Sequence, residues 1–434
     1  MPSRRNKGGL LARVNFPLYT LQMLTSRHIL VGGGGGSSKT GVANGFEIFE
    51  LSHNGVHFIA EEVTRHETGP SVVMNCASHN NGKKTWIVAG QESHCQLYNV
   101  NPKVVTLENG ELIKGSTANT TNKDGLRHRR NSEKVEEPQS PKERIEEIKD
   151  DNSNVKSKKL QLILKPADSV QTAFGNGEPL QRVVRVSLQG TIMATGGTDG
   201  RVRLWKFPQL HKLHDLDAHG KEIDDLDFSP DGSLLVSIAK DGKAFLWNLN
   251  DGTKNKELTW TSPEGAKYIY KRCRFRKLTE DKTKIDLFVL SNAVAGKNPS
   301  FLQLWDAHTG TVIKSASYKE TLSALAVSDD GKFVAVGTMF SGSVDIFVAF
   351  SLRKALHVPG AHSMFVTGLE FLPTKLDGPA ITSNTETAVV SISVDNRICI
   401  HSIPFRHTLP FWFVIILIVL CICGAFILCS YLGI

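Results

Sequence analysis

The stretch IMATGGTDGRVRLWKF, residues 192–207, decides the fold of this chain. A short apolar run leads to Asp199 and Gly200 and is followed by an alternating run that ends near Trp205. Asp-Gly between two such runs is a strong β-hairpin signal, because glycine tolerates the positive φ of a tight turn. The stretch therefore predicts two antiparallel strands joined at Asp199 and Gly200.

The same pattern occurs in LLVSIAKDGKAFLWNL, residues 234–249, and in AVVSISVDNRICIHSI, residues 388–403. A hydroxyl residue, an aspartate and a tryptophan recur at unchanged spacing in the first two stretches: Thr195, Asp199 and Trp205, then Ser237, Asp241 and Trp247. The third stretch keeps Ser391 and Asp395 at that spacing but has His401 in place of the tryptophan. Internal repetition of this kind is typical of folds built from stacked units.

These repeats resemble the WD-repeat β-propeller, which has four short strands in each blade and a repeat of about 40 residues. Weaker strand pairs occupy the intervals between the strong ones. We expect an all-β fold, a seven-bladed WD-type propeller, with blades that begin near residues 16, 71, 181, 223, 268, 321 and 366. The segment LLARVNFPLY, residues 10–19, is expected to supply the outer strand of the last blade and close the ring.

His219, Ser237 and Asp241 also have the composition of a hydrolase triad. In WD blades the same residue types, together with the tryptophan, form a network that holds a turn, and a second copy occurs at His362, Ser391 and Asp395. A catalytic site needs no degenerate duplicate, so we favour the structural interpretation. The chain has no GxSxG, HExxH or EF-hand motif, and covalent catalysis is not predicted.

Residues 102–158 interrupt the repeats with a polar, mixed-charge segment that has few aromatic residues. Such a composition cannot bury enough apolar surface to form a core of its own. We expect a disordered or partly helical insertion within a propeller domain that spans residues 1–405. The insertion contains a basic cluster at residues 127–130. We interpret this cluster as a solvated run of charges rather than as a contact site for lipid or nucleic acid.

The C-terminal segment LPFWFVIILIVLCICGAFILCSYLGI, residues 409–434, carries no charged side chain. Residues 409–432 would form about 36 Å of helix, enough to cross a hydrocarbon core of about 30 Å. A buried core helix is the alternative, but this length without a charge favours a transmembrane anchor. We expect the propeller in the cytosol, residues 433–434 as a lumenal tail, and the endoplasmic reticulum as the membrane.

The charge balance is mildly basic, with 51 Lys and Arg against 43 Asp and Glu, and a formal net charge of +8. This value is compatible with an anionic membrane surface or an acidic partner, and it is too small to imply nucleic acid by itself. The 7 cysteines are scattered singly or lie in the apolar C-terminal segment. Their positions indicate neither a zinc site nor a disulfide framework, which is typical of a reducing compartment.

The glycine-rich stretch VGGGGGSSKTGVANGF, residues 31–46, resembles a phosphate-binding loop at first sight. In a P-loop the lysine follows a glycine and a helix follows the loop, whereas Lys39 follows Ser38 here and both flanks have strand patterns. Bare backbone exposes carbonyl oxygens that suit a hard monovalent cation, and Asn44 adds an amide oxygen. A cation-binding loop and a plain connecting loop both stay open on these residues alone.

The whole chain resembles the prolactin regulatory element-binding protein family. The resemblance rests on FPLYTLQ, GGGGGSSKTG, AGQESHCQL and ATGGTDGRVRLWK, and on the order of propeller, polar insertion and C-terminal anchor. Members of that family are guanine nucleotide exchange factors of the endoplasmic reticulum, and they act on the Sar-type small GTPase that starts COPII coat assembly. The resemblance implies the same activity, membrane and GTPase partner for this chain.

The resemblance also implies a set of functional residues. The backbone oxygens of Gly32, Gly33, Gly34, Gly35, Gly36 and Gly41 and the side chain of Asn44 would bind potassium. Val42 and Ala43 would form an apolar tip, and Asn44 would contact the GTPase. Glu67, in RHETGP, is a weaker candidate for the same surface. Exchange of this type needs only that the factor bind the nucleotide-free state better than the nucleotide-bound state.

Two other functions stay open at this point. The chain could be a membrane-tethered scaffold without exchange activity, or a DNA-binding transcription regulator as the family name suggests. Against the second, the sequence has no helix-turn-helix or zinc pattern, and no nucleic-acid partner is expected.

Overall fold

The computed structural model describes residues 9–37, 41–108, 111–112, 156–175, 177–276, 284–295, 298–374, 381, 385–405 and 411–433. Within these residues the chain forms seven antiparallel sheets, one for each predicted blade. Six sheets have four strands and one has five.

The first strand, β1 (Gly9–Arg13), belongs to the last blade. Blade 1 comprises β2 (Leu18–Met23), β3 (His28–Gly33), β4 (Gly45–His53) and β5 (Phe58–Glu67). Blade 2 comprises β6 (Asn75–Asn80), β7 (Thr85–Gln91), β8 (His94–Glu108), β9 (Glu111–Leu112) and β10 (Lys156–Gln171). Blade 3 comprises β11 (Gln181–Val186), β12 (Ile192–Gly197), β13 (Val202–Lys206) and β14 (His211–Leu216).

Blade 4 comprises β15 (Ile223–Phe228), β16 (Leu234–Ala239), β17 (Ala244–Asn248) and β18 (Lys254–Glu257). Blade 5 comprises β19 (Tyr268–Arg276), β20 (Asp286–Ala293), β21 (Ser300–Asp306) and β22 (Thr311–Tyr318). Blade 6 comprises β23 (Leu322–Val327), β24 (Phe333–Thr338), β25 (Val344–Val348) and β26 (Arg353–Val358). Blade 7 comprises β27 (Val366–Phe371), β28 (Thr385–Ser393), β29 (Arg397–Pro404) and β1.

The inner strands form a closed ring. Contacts run in the order β2, β6, β11, β15, β19, β23, β27 and back to β2. Strand β1 pairs antiparallel with β29, from Gly9 opposite Ile400 to Arg13 opposite Arg397. The predicted closure of the ring by the N-terminal segment is therefore confirmed, and blade 7 has no free edge at β29.

The middle strands of the blades are buried on both faces, because each blade is stacked between two others. In β16, for example, Leu235, Val236 and Ile238 are all inaccessible to solvent. Leu204 of blade 3 packs in one cluster with Ile223 and Trp247 of blade 4. Burial on both faces explains why these strands have continuous apolar runs rather than strict alternation.

The predicted turn networks are confirmed. Ser237 Oγ accepts a hydrogen bond from Trp247 Nε1 at 2.9 Å and donates to His219 Nε2 at 2.9 Å. His219 Nδ1 donates to Asp241 Oδ2 at 3.1 Å, which sets the tautomer because a carboxylate only accepts. Ser237 is fully buried, so it is closed to any substrate, and the triad interpretation is excluded.

The second copy of the network uses a histidine where the repeat has tryptophan. His362 Nε2 and His401 Nε2 both lie 2.8 Å from Ser391 Oγ, and His362 Nδ1 donates to Asp395 Oδ1 at 3.1 Å. Because a hydroxyl donates once and also accepts, Ser391 can donate to His362 and accept from His401. His401 therefore takes the place of the tryptophan indole.

The margins of the polar insertion differ from the prediction. Strand β8 continues through Glu108, β9 follows it, and β10 begins at Lys156, so these parts of residues 102–158 are strand rather than disordered or helical. The reason is sheet pairing, because β8 and β10 are neighbours in one sheet. Residues 113–155 lie outside the described part of the chain.

The C-terminal helix, α1, spans Phe411–Leu432. Its segment Phe411–Cys429 has a mean hydropathy of 3.1 and is not buried by the rest of the protein. Within the described residues it is the one helix long and apolar enough to cross a membrane. The structure thus agrees with the predicted apolar helix, which begins two residues later than expected.

Candidate functional site

The glycine loop, residues 34–44, connects β3 and β4 of blade 1. Three of its glycines have positive φ: Gly34 at 144°, Gly36 at 84° and Gly41 at 77°. L-residues with a side chain rarely adopt these conformations, so the glycines are required by the backbone path. Strand β4 begins at Gly45, immediately after the loop, and the described loop residues, 34–37 and 41–44, include no helix terminus that could bind a phosphate.

Asn44 holds the loop together. It is only 5% exposed, and its Oδ1 accepts a hydrogen bond from the Gly36 backbone N at 2.9 Å. Its Nδ2 donates to three carbonyl oxygens, those of Gly36 at 3.1 Å, Gly69 at 3.0 Å and Pro70 at 3.1 Å. One buried amide therefore links the glycine loop to the segment between β5 and β6.

Close backbone contacts explain the glycines that border the loop. A Cβ on Gly34 would lie 2.1 Å from Asn44 Oδ1, and a Cβ on Gly33 would lie 1.9 Å from the Pro17 carbonyl oxygen. A Cβ on Gly45 would lie 2.2 Å from the carbonyl oxygen of His66. These approaches leave no space for a side chain at Gly33, Gly34 or Gly45, so the two ends of the loop fit their neighbours only as bare backbone.

The other predicted residues occupy different environments. Gly32 and Gly33 are buried members of β3, paired with Phe46 and Gly45 of β4, rather than loop residues. Val42 is half-buried and packs against the core cluster of blades 1 and 7, whereas Ala43 is exposed. The expected apolar tip of Val42 and Ala43 is therefore reduced to Ala43, because Val42 anchors the loop to the core.

Glu67 lies beside the loop. It is the last residue of β5, it is exposed, and its Cα is paired with that of Gly45. The next residue, Thr68, donates its backbone N–H to the carbonyl oxygen of Asn44 at 3.0 Å. Of the predicted exchange surface, the structure brings together Ala43, Asn44 and Glu67.

Gly69 and Pro70 were missed by sequence reasoning. The string Thr-Gly-Pro-Ser after β5 is typical of a turn, but no local pattern indicates that its carbonyl groups meet Asn44, 26 positions earlier in the chain for Pro70. The contact depends on the side-by-side placement of the β3–β4 loop and the connection to blade 2.

The carbonyl oxygen atoms around Asn44 are the kind of ligand that suits a monovalent cation. Three carbonyl oxygens surround one NH₂ group that has only two hydrogens, so the site is rich in oxygen acceptors. Carbonyl oxygens suit potassium, whereas divalent transition metals prefer His, Cys or carboxylate ligands. The described residues contain no cluster of three or more His, Cys, Asp or Glu that could hold such a metal.

An ion pair supports the strands below the loop. Glu47 of β4 is 1% exposed and is bonded to Arg65 of β5 directly across the ladder. Burial raises the pKa of the Glu47 carboxyl, while Arg65 opposes that rise. Because β4 follows Asn44 and β5 ends at Glu67, this pair connects the two strands that carry the site.

Comparisons with known proteins agree with this architecture. The family profile "WD domain, G-beta repeat" matches residues 173–206 and 210–248, which carry the two complete hydroxyl–Asp–Trp patterns. The remaining blades lack parts of that pattern, for example the tryptophan replaced by His401.

Similarity to curated relatives extends over nearly the whole chain. The chain is 33% identical over 422 residues to "Guanine nucleotide-exchange factor SEC12" of Mus musculus, covering 96% of this chain and 95% of the relative. The protein of the same name from Rattus norvegicus is 32% identical over 424 residues, with coverage of 96% and 95%. "SEC12-like protein 1" of Arabidopsis thaliana is 32% identical over 202 residues, or 45% of this chain and 47% of the relative.

Proposed function

This chain belongs to the SEC12 guanine nucleotide-exchange factor family, and on that premise we propose that it promotes GDP release from a Sar-type small GTPase. We further propose that it acts at the endoplasmic reticulum membrane, where GTP loading of the GTPase starts COPII vesicle formation. The observation that carries the proposal is the Asn44 linkage, which presents the glycine loop and Glu67 as one surface.

The loop would act by differential binding. Ser37, Gly41, Ala43 and Glu67 are exposed, while Asn44 beneath them is buried and fully hydrogen-bonded. A surface fixed in this way loses little conformational entropy when it binds a partner. If this surface binds the nucleotide-free GTPase more tightly than the GDP-bound form, the affinity of the GTPase for GDP falls by the ratio of these two binding affinities.

Glu67 adds a charge to this mechanism. The GTPase holds its nucleotide through a lysine and Mg²⁺ that contact the phosphates. An exposed carboxylate beside the glycine loop would compete with the phosphates for these cations. The factor itself forms no covalent bond and acts as a binding protein rather than as an enzyme of covalent chemistry.

Potassium is the cation we propose for the loop. The carbonyl groups of Gly34, Gly35, Gly36 and Gly41, with Asn44, would hold it together with those of Gly69 and Pro70. When bound, the ion would supply a fixed positive centre that keeps the carbonyl oxygens of the loop together. Gly32 and Gly33, which lie in β3, would support the loop from the sheet.

Helix α1 would anchor the propeller in the membrane as a single span. It lacks charged side chains along its whole length, and it follows the end of β29 at Pro404 closely. Such an anchor keeps the exchange surface at the membrane on which the activated GTPase works.

The test is release of a fluorescent GDP analogue from a purified Sar-type GTPase by the full-length chain in detergent micelles. Potassium buffer would be compared with sodium and lithium buffers, and Asn44→Ala with the matched control Asn54→Ala. Asn54 lies in the exposed β4–β5 turn of the same blade, where its Oδ1 accepts from Val56 N at 3.0 Å and His57 N at 2.8 Å.

We expect strong acceleration by the wild type, a loss with Asn44→Ala and in lithium, and no change with Asn54→Ala. Acceleration that is insensitive to the cation would overturn the potassium assignment and keep the exchange function. Binding of the GTPase without acceleration would instead identify a membrane-tethered scaffold.

A further inference from the structure

The channel enclosed by the inner strands opens on the same edge of the propeller as the glycine loop. In blade 1 the inner strand β2 begins at Leu18, whose Cα is paired with that of Gly33 at the base of the loop. Tyr19, the next residue, lines the opening of the channel. The two features are therefore parts of one face.

A ring of β-bulge residues surrounds this opening. Six of the seven inner strands have a register shift near their start, after the first pair in five strands and after the third pair in β19, and one residue lies within each shift. These residues are Tyr19, Arg182, Asp224, Lys271, Ser323 and Thr367, and all six line one cavity, which we call the channel mouth. Bulges re-aim side chains and recur next to functional sites.

Both cations and carboxylates line the channel mouth, and Glu92 is an exposed carboxylate among them. The side chains of Arg182 and Lys271 are 32% and 24% exposed, whereas those of Asp224 and Asp225 are each 2% exposed. Lys271 Nζ is bound to Asp224 Oδ1 at 3.1 Å. Because Asp224 and Asp225 lie deeper than Arg182 and Lys271, these two cations, next to Glu92, present positive charge to an approaching molecule.

Arg182 is the least satisfied of these cations. Its nearest carboxylate oxygen is Glu222 Oε2 at 3.6 Å, and the same oxygen accepts from Lys240 Nζ at 2.6 Å. A guanidinium with such a distant and shared partner is free to form a bidentate pair with an incoming carboxylate. The ligand chemistry that Arg182 favours is therefore an acidic side chain.

Three exposed apolar residues lie on the same edge as the mouth, and one of them, Met74, lines it. Met74 precedes β6, Met364 precedes β27 and Phe340 follows β24, and they are 42%, 48% and 76% exposed. Large exposed apolar side chains around a polar centre are typical of protein-binding surfaces. Met74 also lies just beyond Pro70, whose carbonyl oxygen accepts from Asn44, so the apolar rim continues into the glycine-loop surface.

We propose that the channel mouth binds an acidic, partly apolar segment of the GTPase while the glycine loop works at its nucleotide. This inference rests on the proposed exchange function and adds a second contact region to it. Strand β29 leads to helix α1 and ends at Pro404. This end lies at one edge of blade 7, and the β28–β29 turn, which contacts His362, lies at the opposite edge. The mouth lies at the other edge, which favours a protein segment over a lipid headgroup as its occupant.

The test measures the initial rate of GDP release against GTPase concentration, with the full-length chain in detergent micelles. Arg182→Glu and the milder Arg182→Gln would be compared with Lys212→Glu. Lys212 is the matched control: it lies on the outer strand β14, its single carboxylate partner is also at 3.6 Å, and its reversal changes the net charge equally. Anionic vesicles would be added in a separate arm.

We expect Arg182→Glu to raise the half-saturating GTPase concentration about tenfold and Arg182→Gln about threefold, with the maximal rate retained, because a like charge opposes an acidic partner. Higher ionic strength should reduce the difference between wild type and variants. Lys212→Glu should match the wild type.

Equal half-saturation for all variants would overturn the inference while leaving exchange intact. An effect of Arg182→Glu that is seen only with anionic vesicles would assign the mouth to a lipid headgroup and would also overturn it. Failure of the wild type to accelerate release would instead reject the proposed function. Urea unfolding of Arg182→Gln tests that its effect does not come from a loss of folding.

Discussion

Asn44 and Gly36 exchange two hydrogen bonds, one from the Gly36 amide to Asn44 Oδ1 at 2.9 Å and one from Asn44 Nδ2 to the Gly36 carbonyl oxygen at 3.1 Å. This reciprocal pair closes the glycine loop on itself. The same Nδ2 also joins the loop to Gly69 and Pro70. The described residues of the loop are thus held by one side chain, which both accepts and donates hydrogen bonds.

Replacement of Asn44 by aspartate separates these two abilities. Asn44→Asp keeps an acceptor for the Gly36 amide but faces three carbonyl oxygens with a carboxylate. We expect the maximal GDP-release rate to fall at least tenfold and the free energy of unfolding to fall by roughly 1–3 kcal/mol, since three carbonyl acceptors lose their donor and face a buried carboxylate instead. Urea titration and nucleotide release would measure these changes.

The matched control is Asn54→Asp, because the side chain of Asn54 accepts hydrogen bonds, from Val56 N and His57 N, through its Oδ1. Aspartate keeps both, and stability and exchange should stay at wild-type values. If Asn44→Asp behaved like this control, donation by Asn44 would not be what holds the loop.

Gly34 and Gly36 should differ in their response to alanine. A Cβ on Gly34 would lie 2.1 Å from Asn44 Oδ1, whereas a Cβ on Gly36 meets nothing within 4 Å. Gly36→Ala should therefore cost only the strain of its positive φ, about 1 kcal/mol. Gly34→Ala must also displace Asn44, and we expect it to remove most of the exchange activity.

Gly55→Ala is the control for this pair, because Gly55 has a φ of 95°, open space around it and a place in the exposed β4–β5 turn. Nucleotide release and thermal unfolding of the three variants would be compared. Equal activity of Gly34→Ala and Gly36→Ala would contradict the steric argument.

Ser237→Ala should destabilise the propeller without changing the exchange surface. It removes the acceptor of Trp247 Nε1 and the donor to His219 Nε2, both buried. Each unsatisfied group costs about 1–3 kcal/mol, so we expect a loss of roughly 2–5 kcal/mol in urea unfolding. GDP release below the unfolding transition should be unchanged; a selective loss of release at full stability would revive a chemical role for Ser237.

Glu370 should make stability depend on pH. This inner-strand residue faces Arg274, Arg185 and Asp227, and burial raises the pKa of its carboxyl to about 7. A carboxyl whose folded pKa is raised binds its proton more tightly in the folded state, so the contribution of Glu370 to stability is greatest below about pH 4 and declines as the pH rises to about 7. Glu370→Gln removes this titration.

We expect Glu370→Gln to flatten the pH dependence of urea unfolding by up to roughly 3 kcal/mol between about pH 4.5 and pH 7. Glu61→Gln, a change at an exposed position on the outer strand β5, should leave the dependence as it is. An unaltered slope in Glu370→Gln would show that other groups dominate the titration.

The blade count, the blade order and the terminal helix could be read from the sequence because their signals are local. Asp-Gly turns at Asp199 and Asp241 and their fixed spacing to tryptophan specify strand pairs within about 15 residues. All seven blades begin within four residues of the predicted positions, and β1 confirms the ring closure that is predicted from the need to leave no free edge strand. The uncharged run in residues 409–432 likewise specifies its helix by composition alone.

Tertiary structure alone decided how the site is assembled. Asn44 meets Gly69 and Pro70, Val42 turns to the core, and the bulge residues Arg182 and Lys271 come to one channel mouth. The same holds for the continuation of β8 and β10 into the polar insertion, where sheet pairing overrides a composition that suggests disorder. These contacts join segments that are far apart in the chain, and they form only after ring closure has set the blades side by side. Local propensity reports what a segment prefers by itself, whereas the identity of its neighbours is a property of the closed ring.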